Sequence, residues 1–114
     1  MELRDTQRLE HILDYCEDIE RSVDDFGDSY DCFISNRAYQ YAVAFCILQI
    51  GELTGAITPE IRAQSSEINW PAIKGMRNIV VHDYGKIDLD LVWKTVKNDI
   101  PILKSFCNQM LRTN

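Results

Sequence analysis

Ten residues from Tyr41 to Ile50, Tyr-Ala-Val-Ala-Phe-Cys-Ile-Leu-Gln-Ile, are apolar on nearly every side of a helix. Such a helix belongs at the centre of a bundle, or at a subunit interface that hides its remaining face. It needs amphipathic partners, and the chain supplies them. Leu9, Ile12, Leu13, Cys16, Ile19, Val23 and Phe26 recur at steps of three and four, which predicts a helix over about residues 5–26. Asp5 or Thr6 can cap its start and Gly27 ends it. The central helix is expected over about residues 31–54. Thr58-Pro59-Glu60 reads as a cap followed by a proline at the first helical position, with one or two turns from Ile61 to Gln64. Asn69-Trp70-Pro71 opens another helix, which buries Trp70, Ile73, Met76 and Val80 or Val81 and stops near His82, before Gly85. The last helix starts near Asp88 and runs through Leu89, Val92, Trp93, Val96, Ile100, Leu103, Cys107 and Met110. Pro101 interrupts its pattern and should kink it, having no amide proton for the carbonyl of Lys97. Strand alternation is absent throughout. The expected fold is all-α, an antiparallel bundle of four main helices plus a short helical turn, forming one domain over residues 1–114.

Composition narrows the classes available. At 114 residues, with 46% hydrophobic and 26% charged, the chain can bury a core without staples and is not a disordered one. No apolar run approaches the ~18 residues of a spanning helix, and Met1-Glu2-Leu3-Arg4-Asp5 turns polar and acidic at once, unlike a signal peptide. A cytoplasmic protein without membrane partners is expected. Cys16, Cys32, Cys46 and Cys107 are far apart and mostly within apolar helical patterns, so reduced thiols are expected, with no metal and no cofactor. The net charge of −6 argues against a nucleic-acid partner, but it is unevenly spread. Residues 1–68 carry 5 Lys/Arg and 14 Asp/Glu (−9), and residues 69–114 carry 7 and 4 (+3). The basic part can offer a local anion-binding surface.

That part contains Arg77-Asn78-Ile79-Val80-Val81-His82-Asp83-Tyr84, where branched residues that demand burial stand among polar groups that resist it. Arg77 carries a permanent charge in a planar fork that fits phosphate oxygens. His82 can exchange a proton near neutral pH. Tyr84 supplies a hydroxyl that can accept a transferred group. Together they suit phosphodiester chemistry without a metal. Histidine would deprotonate a ribose 2′-hydroxyl or protonate the leaving oxygen, and arginine would stabilise charge on the phosphate. On an ideal helix Arg77 and His82 lie about 140° apart, so either a break near His82 or a second subunit is needed to aim both at one atom. Asn78 shares a face with His82 and can orient it. Asp83 and Glu52 are further supporting residues, Glu52 being either a solvated helix end or a buried acid in need of a cationic partner. Arg37, Lys74 and Lys86, and more weakly Lys94 and Lys97, are candidates for RNA backbone contact, although surface lysines are commonly just solvated. So short a pattern also occurs in unrelated chains, where a lone histidine near a helix end is a cap or a core residue. His11, between Glu10 and Ile12, reads as an exposed residue.

Arg77-x4-His82-x-Tyr84 resembles the R-x4-H-x-Y motif of the HEPN superfamily, and specifically of its HepT-like toxins. The similarity extends to Arg37 and the apolar helix ending Ile50-Gly51-Glu52, to Ile68-Asn69-Trp70-Pro71, to Gly75-Met76-Arg77-Asn78, and to Asp88, Val92-Trp93 and Ile100-Pro101. Leu53 departs from the pattern, where a small residue is usual. The resemblance implies a homodimeric helical bundle acting as a metal-independent ribonuclease, with Arg77 and His82 matching the catalytic pair. It also implies a type VII-like toxin–antitoxin pairing. The antitoxin would be a minimal nucleotidyltransferase of the MNT type that transfers AMP onto the motif tyrosine, here Tyr84. Two other readings stand beside it. One is a non-catalytic companion subunit of such a nucleotidyltransferase, which the acidic charge favours. The other is a dimerising bundle in which the motif is a structural network.

Overall fold

Asn36 divides the expected central helix in two. The computed structural model describes residues 1–82 and 88–112, with side chains described for residues 1–77 and 88–112. Before Asn36 lies a short helix, α2 (Tyr30–Ile34), and after it the long α3 (Arg37–Ala56). The Asn36 side chain accepts from the amide of Tyr39 at 3.1 Å, so it starts α3 as a cap. Gln40 reaches back to the carbonyls of Phe33 and Ile34, which α2 leaves without helical partners. An apolar pattern running over both pieces hid this break.

The first helix, α1, spans Leu3–Phe26 and starts earlier than expected. Neither expected cap acts as one, because the cap position is Glu2 and it makes no capping bond through its side chain. Asp5 lies instead in the first turn, 2% exposed. Its carboxylate accepts from the Thr58 amide at 3.1 Å and the Thr58 hydroxyl at 2.8 Å, tying α1 to the start of α4 (Pro59–Arg62). The end of α1 is as expected. Gly27 adopts φ +122°, a region closed to most side chains, and its amide returns to the Val23 carbonyl.

Helix α5 runs Trp70–His82, capped by Asn69, whose side chain accepts from the Ala72 amide at 3.1 Å. Then come α6 (Leu89–Lys94), capped by Asp88, a π turn (Thr95–Asp99), and α7 (Ile100–Arg112). The proline at Pro101 is accommodated by widening the turn before it to π geometry. Among the described residues there are no strands.

Helix α3 is the centre. Its largest contacts are with α5 on one side and α1 on the other, and α1 also packs on α7. Leu9, Ile12, Cys16 and Ile19 of α1 meet Val43, Ile47 and Ile50 of α3, with Leu103, Phe106 and Cys107 of α7 in the same core. At one end Phe26, Phe33, Tyr39 and Trp93 form an aromatic cluster, and the Tyr39 hydroxyl donates to the Gly27 carbonyl. The four cysteines are free thiols. Burial pushes Cys46 up to about 11 and Cys107 up to about 12, so both stay protonated and unreactive. No helix among the described residues is long and apolar enough to cross a membrane.

Replacing Asp5 with Ala leaves the amide and hydroxyl of Thr58 without their acceptor, so we expect a stability loss of about 1–3 kcal/mol. Chemical denaturation measures it. An unchanged midpoint would show that the α1–α4 tie is dispensable.

Candidate functional site

Two helices meet here without a side chain between them. Gly51 of α3 is buried, and a Cβ built on it would overlap the Cβ of Arg77 on α5. One turn further along α3, at Gly55, a Cβ would meet the Lys74 side chain at 3.5 Å, ordinary contact. The pairs Gly51–Arg77 and Gly55–Lys74 run in opposite directions along the two helices, so α3 and α5 pack antiparallel.

This approach sets the partner of Arg77. Its Nε donates to Oε1 of Glu52 at 2.5 Å. The side chains are 36% and 52% exposed, so the pair stands at the rim of the contact. Glu52 is therefore neither of the two alternatives its sequence position left open. It is a half-exposed acid held by a cation from another helix. At that exposure the ion pair adds at most about 1 kcal/mol to stability. Its effect is on orientation, because a guanidinium held through Nε has its plane fixed relative to the α3 axis.

The helix continues through His82, so a break, one of the two ways to bring Arg77 and His82 together, does not occur before His82, and positions 77 and 82 stay about 140° apart around the axis. The side chains of Asn78 and His82, and all of Asp83, Tyr84 and Lys86, lie outside the described residues. Of the proposed backbone contacts, Lys74 lies one turn from Arg77 on α5. Arg37 does not join them. It precedes Glu52 by fifteen residues on α3, about 22 Å along the axis, and donates to the Tyr41 hydroxyl. Lys94 is paired with Asp90, and Lys97 with Asp28 while lying over the Trp93 ring. His11 is exposed, as expected.

Sequence reasoning named Gly51 only within the Ile50-Gly51-Glu52 pattern and did not foresee the close helix approach there. A glycine inside an otherwise apolar helix costs about 1 kcal/mol against alanine, and that penalty was the available signal that a neighbour comes close there.

The bundle, with the motif arginine on a helix packed against a central apolar helix, is the all-α fold expected of a HEPN-like chain, and the comparisons supply the family. The family described as "Ribonuclease HepT-like" matches residues 12–110, and the chain belongs to that family. Among curated relatives, "Putative RNase MJ0125" of Methanocaldococcus jannaschii is 35% identical over 104 residues, covering 91% of this chain and 88% of that protein. "Putative RNase TTE0752" of Caldanaerobacter subterraneus is 30% identical, covering 91% of each. "Probable ribonuclease HepT" of Thermococcus cleftensis is 32% identical, covering 80% of this chain and 87% of that protein. No solved structure gives a significant match.

Replacing Gly51 with Ala should force α3 and α5 apart. Overpacking of this kind costs about 1–3 kcal/mol and outweighs the gain in helix propensity, so the melting temperature falls. Gly75→Ala is the control, since a Cβ there meets nothing within 4 Å and should raise it. Equal shifts for the two variants would remove Gly51 as the cause of the close approach.

Proposed function

We propose that this protein is a metal-independent endoribonuclease, the toxin of a type VII-like HEPN/MNT pair. The observation that carries the reading is family membership over residues 12–110, combined with a motif arginine fixed by Glu52 at the surface. Arg77 binds the scissile phosphate and offsets the charge that grows on its oxygens. His82 removes the ribose 2′ proton, the 2′ oxygen attacks phosphorus, and the bond to the 5′ oxygen breaks. The leaving oxygen takes its proton from a second histidine. Asn78 and Asp83 support the imidazole.

The second histidine comes from a second copy of the chain. A continuous α5 keeps Arg77 and His82 on different faces, so one protomer aims them poorly at one atom. Helix α3 supplies an interface: Arg37, Tyr41, Phe45, Leu48 and Glu52 fall within about 80° of its circumference. Tyr41 is 58% and Phe45 54% exposed, large apolar area for a surface that ends at the Glu52–Arg77 pair. A two-fold axis across this face makes the homodimer.

Regulation follows from Tyr84. A cognate MNT-type nucleotidyltransferase transfers AMP from ATP to its hydroxyl and releases pyrophosphate. The adduct puts bulk and negative charge where an RNA phosphate must bind. The net charge of −6 favours a second reading, a non-catalytic companion subunit of that nucleotidyltransferase.

RNA cleavage by the purified protein in chelator, with His82→Ala in parallel, separates the two. We expect cleavage by the wild type and a loss of at least 100-fold in the variant, in line with the usual share of general acid–base catalysis. Failure on several RNAs, with Tyr84 unmodified by intact mass, favours the companion. In sedimentation, Phe45→Glu should dissociate the dimer and lower cleavage with it; a monomeric wild type sinks the two-histidine scheme.

The tyrosine is tested separately. Tyr84→Phe should keep nuclease activity and escape its antitoxin, with no gain of AMP mass on co-expression. Covalent silencing of that variant would move the acceptor elsewhere.

A further inference from the structure

A hollow of about 300 Å³ opens along α5 on the N-terminal side of Arg77, lined by Thr54, Arg62, Trp70, Pro71 and Lys74. It is a nucleotide-sized, mainly apolar space with an aromatic wall, to which Arg62 and Lys74 contribute chiefly their carbon stems, on a protein of net charge −6. No acid lines it.

Each part has a physical cause. The Trp70 indole donates its N–H to the Arg62 carbonyl at 3.0 Å, and Phe106 packs edge-on against the ring at 5.4 Å. The indole is thus held in place before any ligand arrives. Lys74 lays its stem along α3 beside Gly55, one turn from the Gly51–Arg77 contact. The hollow therefore continues from Arg77 along the same α3–α5 seam, roughly one helical turn (~5.4 Å) away.

Charge pairing divides the described cations. Arg8, Arg21, Arg77, Lys94, Lys97 and Lys104 each have a carboxylate within 4.0 Å. Among the described residues Arg62 and Lys74 have none, like Arg4, Arg37 and Arg112, but of these only Arg62 and Lys74 line this hollow. Two uncompensated cations flanking a fixed indole match the pattern by which proteins hold single-stranded nucleic acid, charge on the phosphate and an aromatic surface under the base or sugar.

We infer that this hollow is a subsite for the nucleotide adjacent to the cleaved bond of a single-stranded RNA, with Arg62 and Lys74 on its phosphate and Trp70 against its base. The inference rests on the ribonuclease reading for what happens at Arg77, but binding at the subsite does not require cleavage. The subsite gives substrate binding along the strand without adding to the chemistry, so it acts on KM rather than kcat.

The test is binding of a fluorescent 2′-O-methyl hexaribonucleotide, which 2′-hydroxyl chemistry cannot cut, at a series of salt concentrations. Freeing that phosphate in Arg62→Gln/Lys74→Gln should make the slope of log affinity against log salt shallower by about 0.7, the value for one phosphate of a single strand. Trp70→Leu should weaken binding about tenfold with the slope unchanged. Lys104→Gln, whose charge is already paired with Glu20, should alter neither. On a cleavable hexamer the double variant should raise KM and leave kcat within twofold. Wild-type binding with an unchanged slope in the double variant overturns the subsite and leaves the ribonuclease reading standing. Binding with the expected slope change, but no cleavage by the wild type, keeps the subsite and removes the nuclease. No binding by the wild type even at low salt overturns the subsite and argues against RNA as the substrate.

Discussion

The close approach of α3 and α5 at Gly51 governs the arrangement around it. Helix pairs are held apart by the side chains at their crossing, and here one helix presents none. A long polar side chain can therefore leave the contact at its edge with its base packed and its head at the surface. Arg77 does this, and Glu52, one residue beyond Gly51, meets the head. An arginine on an open helix face would sample many rotamers; this one has its plane set by a carboxylate on a neighbouring element. The opposite side of α3 is committed to α1 and, through α1, to α7. Any shift of α3 is resisted by that core, so the rigidity of the bundle is passed to the guanidinium.

The helical stripes were readable because burial on one face imposes a three-to-four-residue period that little else produces. Boundaries set by a single side chain were less so. Asn36 breaks an apolar run that otherwise continues, and its capping bond outweighs the pattern over one turn only. Asp5 satisfies the composition of a helix cap, but its carboxylate bonds residues more than fifty positions away. Both ends of a local rule were present, and tertiary packing chose the other donor. In the same way the Arg77–Glu52 pair joins residues on two helices, and no spacing rule within one helix could reveal it. Arg62 was not singled out at all, since its place in the hollow depends on Trp70 reaching back to its carbonyl across the loop.

Charge distribution resolves an apparent contradiction. A protein of net charge −6 is a poor nucleic-acid binder on average, but association is decided by the local field near the contact. Apart from the buried Asp5, the acids of α1 face solvent, and at physiological ionic strength charges more than about 8 Å apart are largely screened. Several distant cations are neutralised by their own carboxylates. What remains along the seam is Arg77 with an oriented head, then Lys74 and Arg62 with no acid beside them. On the proposed RNA-binding reading, Lys74 and Arg62 would count for more toward a phosphate chain than a larger set already compensated by carboxylates.

Helical continuity through His82 has the strongest bearing on assembly. Had α5 ended at Arg77, a turn could have swung the histidine round to the arginine, and a monomer would have sufficed for the proposed chemistry. A helix that persists puts the two positions about 140° apart around its axis, which aims them poorly at one atom within one protomer. The exposed Tyr41 and Phe45 lie on the face of α3 that ends at Glu52, so burying them against a second copy would extend the interface toward the Arg77 of each protomer. The proposed dimer thus answers two separate physical problems, an apolar face without cover and a catalytic pair without convergence. In that arrangement catalysis would be lost on dissociation even though every motif residue remained intact.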